Sequence, residues 1–248
     1  MRLASQVLRA LAAADERTLL DSLRSNLGEL RLALVFHRVS DTRSKLGMPA
    51  EEIDRLIDFL FQARGELTVS FDDGYRDAAD YVLSRAPLYP GIEWLYFVCP
   101  EKTEHRTGFE WDAAPDLASL EQCREIQRLP NAVLGNHTNS HQRPVLLPGF
   151  REEIERSLRD FRRLFGPQLH LAIPYGVPGE DFSPDHVDEL RALGDFLIWS
   201  TEPRPFHPDE RRNGAVLPRF AVDGTRTWKE TAVHIALHAL RARLVRAA

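Results

Sequence analysis

Cysteine is nearly absent: the 248 residues hold two, Cys99 and Cys123. Neither belongs to a Cys-x-x-Cys pair or a Cys/His ribbon, which excludes a disulfide scaffold and a thiolate zinc site and leaves buried free thiols as the expectation. A basic surplus is also missing. Lys and Arg total 32 against 37 Asp and Glu, a net charge of −5, which argues against a nucleic-acid partner because counterion release needs a basic face. The densest charge run, Arg151 to Arg163, alternates acids and bases and reads as a solvated helix face. No stretch approaches the ~20 apolar residues of a bilayer span, so no transmembrane segment is expected. Arg9, Asp15, Glu16 and Arg17 interrupt the start of the chain and deny it the apolar core of a secretory signal. A cytoplasmic location is therefore the expectation.

What is present is the composition of a folded domain, 43% hydrophobic and 28% charged. Short β-rich runs at 31–37, 66–73, 94–100, 132–137, 169–176 and 195–200 alternate with helical patterns at 50–63, 76–85, 115–128, 150–165 and 184–193. That alternation predicts βα units around a parallel sheet or barrel in a single domain. Residues 1–30 read as an N-terminal amphipathic helical segment, with Leu3, Val7 and Leu11 and then Leu19, Leu20, Leu23 and Leu27 at helical spacing, and residues 31–248 as the α/β domain.

The polar residues of interest fall where strands end, which in parallel α/β architectures is where loops converge on ligands. His37, the pair Asp72-Asp73, His137 and Pro174-Tyr175-Gly176 all lie at such ends. Two adjacent carboxylates at a buried strand end are costly unless a cation or proton compensates. A metal ligated by Asp73, with Asp72 beside it as a proton acceptor, would answer that cost, although Asp-Asp-Gly is also ordinary turn chemistry. His137 and His141 stand four apart, a spacing that on a helical turn puts both imidazoles on one face. Together with Asp73 they make a two-histidine, one-carboxylate set with open positions. His234 and His238 repeat the spacing, but in a uniform C-terminal helical pattern without a nearby carboxylate strand end.

From Leu32 to Arg219 the sequence resembles the polysaccharide deacetylases, the NodB-homology or carbohydrate esterase family 4 group. The first family motif, T-F-D-D-G, stands here as Ser70-Phe71-Asp72-Asp73-Gly74, and the second, H-[ST]-x-x-H, as His137-Thr138-Asn139-Ser140-His141. The third, R-x-P-x-G in many members, reads Ala172-Ile173-Pro174-Tyr175-Gly176, without the arginine that would pair with the base. The Pro-Tyr-Gly form, with Phe36-His37-Arg38-Val39 on an N-terminal strand, resembles one branch of the family.

The resemblance implies a distorted (β/α) barrel of about seven strands. It implies Asp72 as general base, Asp73, His137 and His141 as ligands of a divalent metal, and Thr138 as a brace for the loop. It also implies His37 as general acid, with His238 the rival. The metal is expected to be zinc, with iron, cobalt or nickel compatible. Tyr75, Pro174, Tyr175, Gly176 and Trp111 are the expected substrate contacts, with Trp199 a further stacking candidate. The implied activity is hydrolysis of the N-acetyl group of an amino sugar, nucleotide- or lipid-linked, in surface-polysaccharide or O-antigen biosynthesis. The alternatives are a metal hydrolase of another C–N bond, such as a cyclic amide, and a catalytically silent sugar-binding homologue.

Overall fold

The computed structural model describes residues 13–167 and 169–246; Leu3, Val7 and Leu11 lie outside them. The elements run α1 (Glu16–Leu27), β1 (Ala33–Phe36), β2 (Arg38–Val39), β3 (Gly47–Met48), α2 (Ala50–Arg64), β4 (Leu67–Phe71), α3 (Arg76–Arg85), β5 (Ile92–Val98), α4 (Pro100–His105), α5 (Leu120–Arg128) and β6 (Ala132–Asn136). They continue with α6 (Phe150–Phe165), β7 (His170–Ala172), α7 (Pro184–Leu193), β8 (Leu197–Trp199), α8 (Pro208–Arg212), β9 (Phe220–Ala221) and α9 (Trp228–Arg246).

Seven strands form one sheet in the order β8-β7-β6-β5-β4-β1-β9, and each neighbouring pair is parallel. Parallel neighbours require a crossover between them, so every strand's carboxyl end arrives at the same mouth. The strands read as nearly unbroken apolar runs because both faces are covered. Leu34, Phe36, Val69 and Phe71 pack outward into the helical layer. Ala33, Leu95, Phe97, Ala172, Trp199 and Leu217 pack inward into a separate interior cluster. Phe97 fits there because its register partner on β6 is Gly135; a Cβ at that position would drive into the Phe97 ring.

The sheet curls into the expected distorted barrel, and one short segment spans the gap between its edges. On one side the Leu217 N–H donates to the Ile198 carbonyl (2.8 Å) and the Ser200 N–H to that of Leu217 (2.9 Å). On the other, Phe220 and Ala221 pair with Leu34 and Val35. Sequence patterning does not reveal this segment, because Leu217-Pro218-Arg219-Phe220 interrupts its apolar run with a proline and an arginine.

Several expected elements differ in extent. The helix expected from 115 begins only at Leu120, where Ser119 accepts from the Gln122 N–H (3.1 Å) and Gln122 returns the bond to the Ser119 N–H (2.9 Å), a capping box that fixes the start. The residues before it form a loop over the mouth. The strand from 169 ends at Ala172, and the chain then turns away through Tyr175 at φ 60°. Pro100 opens α4 rather than ending β5.

At the start of the described chain, Asp15 caps α1 by accepting from the Thr18 N–H (2.7 Å). Leu19, Leu23 and Leu27 are buried as α1 packs against α2 and α9. Cys99 and Cys123 are buried free thiols. Among the described residues no helix is long and apolar enough to cross a membrane.

Candidate metal centre

Alternation along β4 points Thr68, Ser70 and then Asp72 into the barrel. The Asp72 N–H completes the ladder by donating to the Phe36 carbonyl (3.0 Å). The chain then turns through Asp73 at φ 73° and Gly74 at φ 82°, left-handed conformations that aspartate tolerates and glycine favours. Turn chemistry and carboxylate presentation are thus one feature: the turn holds both acids at the mouth, 2% and 1% exposed.

His137 follows β6, its N–H donating to the Val98 carbonyl (2.8 Å). The two histidines do not share a helical turn, as their spacing suggested. Thr138 and His141 both take left-handed conformations, φ 61° and 56°, and the loop folds back on itself. The Thr138 N–H donates to Asn136 Oδ1 (2.7 Å) and the His141 N–H to Thr138 Oγ1 (3.2 Å), so Thr138 does brace the loop.

His137 Nδ1 lies 2.9 Å from the Ala172 carbonyl. A carbonyl only accepts, so the neutral ring carries its proton on Nδ1 and turns the lone pair of Nε2 into the site. His141 Nε2 is 3.1 Å from His137 Nε2 and 3.0 Å from Asp73 Oδ1, with His137 Nε2 3.5 Å from the same oxygen. All three ligand atoms lie within 4.8 Å of one another. Neither Asp73 oxygen has a well-directed hydrogen bond, despite that close approach. The buried His137 lone pair beside a buried carboxylate is unfavourable without a cation between them. The donor set of Asp73, His137 and His141 therefore fits a divalent metal ion.

The missing arginine is supplied from elsewhere. Arg219, on the segment that closes the barrel, is fully buried. It forks onto Asp72, with Nη1 to Oδ1 at 2.7 Å and Nη2 to Oδ2 at 3.0 Å. It also donates to Ser70 Oγ (3.0 Å) and to the Ser200 carbonyl (3.1 Å). Burial alone would raise the Asp72 carboxyl, but the Arg219 and His137 charges outweigh it and hold the group below its ordinary value. Burial also acts to raise Asp73, and His141 outweighs it. Burial pushes the His137 imidazole down to about 4. The one trace of Arg219 in the sequence is an arginine set among apolar residues just before the last strand.

His37 follows β1 and lies close enough to Asp72 and Asp73 to lower both carboxyls electrostatically. Its Nδ1 is buried without a partner. The residue after it is fixed, since Arg38 pairs with Asp77 (2.9 Å), tying the strand end to α3. His238 is elsewhere. It packs edge-on against Phe220 at 5.7 Å, and by strand alternation Phe220 faces away from the interior side that carries Arg219. Trp199 is buried against His170, so it offers no sugar platform.

The Tyr75 ring is buried as well. Its hydroxyl meets the Trp111 indole N–H (3.4 Å) and so anchors the covering loop, leaving only its backbone for a substrate. Trp111 (40% exposed) and Tyr175 (36%) do line the mouth, with Trp111 edge-on to His141 at 4.8 Å. Pro174 and Gly176, on either side of Tyr175 in the chain, are buried. A groove of about 320 Å³ runs on from His141 past Trp111, Asn139, Lys102 and Arg156.

A parallel barrel with a buried aspartate and two histidines at its mouth defines a class of metal-capable α/β domain, and solved structures narrow it further. IcaB from Ammonifex degensii is 22% identical, with a TM-score of 0.63 over 84% of this chain and 98% of its own. A polysaccharide deacetylase from Bacillus cereus is 17% identical, with a TM-score of 0.62 over 83% of this chain and 69% of its own. A de-N-acetylase from Aggregatibacter actinomycetemcomitans is 14% identical, with a TM-score of 0.61 over 79% and 96%. No family model matches the sequence, and no curated protein matches it significantly. The chain is built on the polysaccharide deacetylase fold.

Proposed function

We propose that the chain is a metal-dependent deacetylase that hydrolyses the N-acetyl group of an amino sugar. The observation that carries this reading is the buried Asp73–His137–His141 group, whose carboxylate lacks a directed donor. A divalent ion held there supplies Lewis acidity toward a water and the acetyl carbonyl. Its N/O ligation suits zinc, with iron, cobalt or nickel compatible.

In this mechanism Asp72, held unprotonated and oriented by Arg219, takes a proton from the water as its oxygen adds to the acetyl carbon. The Tyr75 backbone N–H donates to the oxyanion that develops. His37, as imidazolium, gives a proton to the nitrogen as the C–N bond breaks, leaving acetate and a sugar amine; proton exchange with solvent resets both residues. Trp111 and Tyr175 take the apolar faces of the sugar ring. The Arg219 fork gives Asp72 a charge partner, which supports this reading over a silent homologue. The substrate in this reading is a nucleotide- or lipid-linked sugar of surface-polysaccharide or O-antigen synthesis, met in the cytoplasm.

The test is metal analysis on protein without a histidine tag, together with acetate release from free, nucleotide-linked, lipid-linked and polymeric N-acetylated sugars and ring opening of cyclic amides. Acetate release that chelation stops and a divalent ion restores is expected. Ring opening without acetate release, or turnover indifferent to chelation, would overturn the reading.

A further inference from the structure

We infer that Glu153 is a positioning residue that clamps the His137–His141 loop in its metal-ready shape, an inference that deepens the metal reading above and rests on it. The run Arg151–Arg163 looks like a solvated face in sequence, yet Glu153 is 6% exposed. Its Oε1 accepts from two consecutive backbone N–H groups of the loop, Asn139 (3.0 Å) and Ser140 (2.6 Å). Its Oε2 accepts from Arg156 Nη2 (2.6 Å). With Asn136 Oδ1 holding the Thr138 N–H and Thr138 Oγ1 the His141 N–H, every backbone N–H from 138 to 141 meets a side-chain oxygen.

Glu153 does not act alone on its helix. Ser157 Oγ donates to Asn136 Oδ1 (2.9 Å), and Asn139 Nδ2 donates to Asp160 Oδ2 (2.7 Å). Residues 153, 157 and 160 fall at i, i+4 and i+7, one stripe of α6. A polar stripe facing inward is unfavourable unless satisfied, and here its members are satisfied by the loop that carries the two histidines and by Asn136 at the strand end that leads into it.

The loop needs such a hold because Thr138 and His141, neither a glycine, occupy left-handed backbone. One carboxylate oxygen shared by adjacent amides fixes the chain between the two imidazoles, and its charge adds to the field that favours a cation. Glu153 touches neither the ligand atoms nor the groove's mouth; it acts through the backbone.

The experiment measures zinc affinity by chelator competition, and amide hydrogen exchange at Asn139 and Ser140 in metal-free protein, for the wild type and for Glu153→Ala, Glu153→Asp, Glu153→Gln and Asp73→Ala. Glu153→Ala should weaken zinc about 10- to 100-fold and speed exchange at both amides. Glu153→Asp keeps the charge but withdraws it by one methylene, and should move both readouts the same way. Glu153→Gln keeps an acceptor in place and should recover most of the loss. A folded Ala or Asp variant with wild-type zinc affinity and wild-type exchange overturns the proposal, and if Ala does not fold the Asp and Gln pair decides. Wild-type protein that takes up no zinc, or Asp73→Ala that takes up as much, would instead defeat the metal reading, while exchange still reports on the clamp.

Discussion

The two ends of the barrel carry the same kinds of residue in opposite states. At the amino end Arg211 forks onto Glu93 at 2.9 and 2.6 Å, Thr68 adds a third donor at 3.1 Å, and His170 receives the Trp199 indole N–H at 3.2 Å. At the carboxyl end Arg219 forks onto Asp72 in the same way, but Asp73 beside it has no well-directed donor, and the Nε2 atoms of His137 and His141 face it at 3.5 and 3.0 Å. Both ends contain a forked arginine, carboxylates and a histidine that burial pushes down to about 4. Burial, charge and perturbed titration therefore do not separate a site from a structural knot. Unspent bonding capacity does.

The largest break in that comparison should come from Asp73→Ala. Turnover should fall by about 10³-fold or more with loss of the metal. The mirror change, Glu93→Ala, should leave turnover intact and cost about 1–3 kcal/mol of stability by stripping Arg211 of its partner, read by denaturant unfolding. If both changes act on stability alone, the two ends are alike after all.

Arg219→Met removes the strongest influence holding the Asp72 carboxyl down. Turnover should fall, and the acidic limb of the pH–rate profile should move to higher pH, because the base then stays protonated further up the scale. Arg219→Lys should recover part of the shift. An unmoved limb would detach Asp72 from the profile.

The smallest expected effect is on pH-dependent stability. His170 is held near 4 by burial, against an ordinary 6.5. Between those values the unfolded chain binds a proton that the folded one refuses, so stability falls as pH drops through this window, by up to about 1.4 kcal/mol per pH unit for one histidine. His170→Gln should make the decline in thermal midpoint shallower below pH 6.5, and an identical slope would show that His170 adds nothing to it.

What could be read from the sequence follows from distance along the chain. Asp72, Asp73, His137 and His141 were legible because each group lies together at the end of an apolar strand run. Their partners were not. Arg219 stands 147 residues from Asp72 on a closing segment too short and too interrupted for any period to show. Glu153 was hidden differently, since acids and bases alternate around it as on a solvated helix, and only the packing of α6 against the loop separates it from its exposed neighbours. The helical reading of the two histidines failed because a four-residue spacing can also be met by a loop whose amides are tied to side chains.

Barrel closure and the charge partner of Asp72 come from one stretch, Leu217 to Ala221. During synthesis that stretch emerges after both acids and both histidines, so a chain cut before it carries the Asp73, His137 and His141 group without the guanidinium that forks onto Asp72. Such a chain would also lack the hydrogen bonds that join the two edges of the sheet.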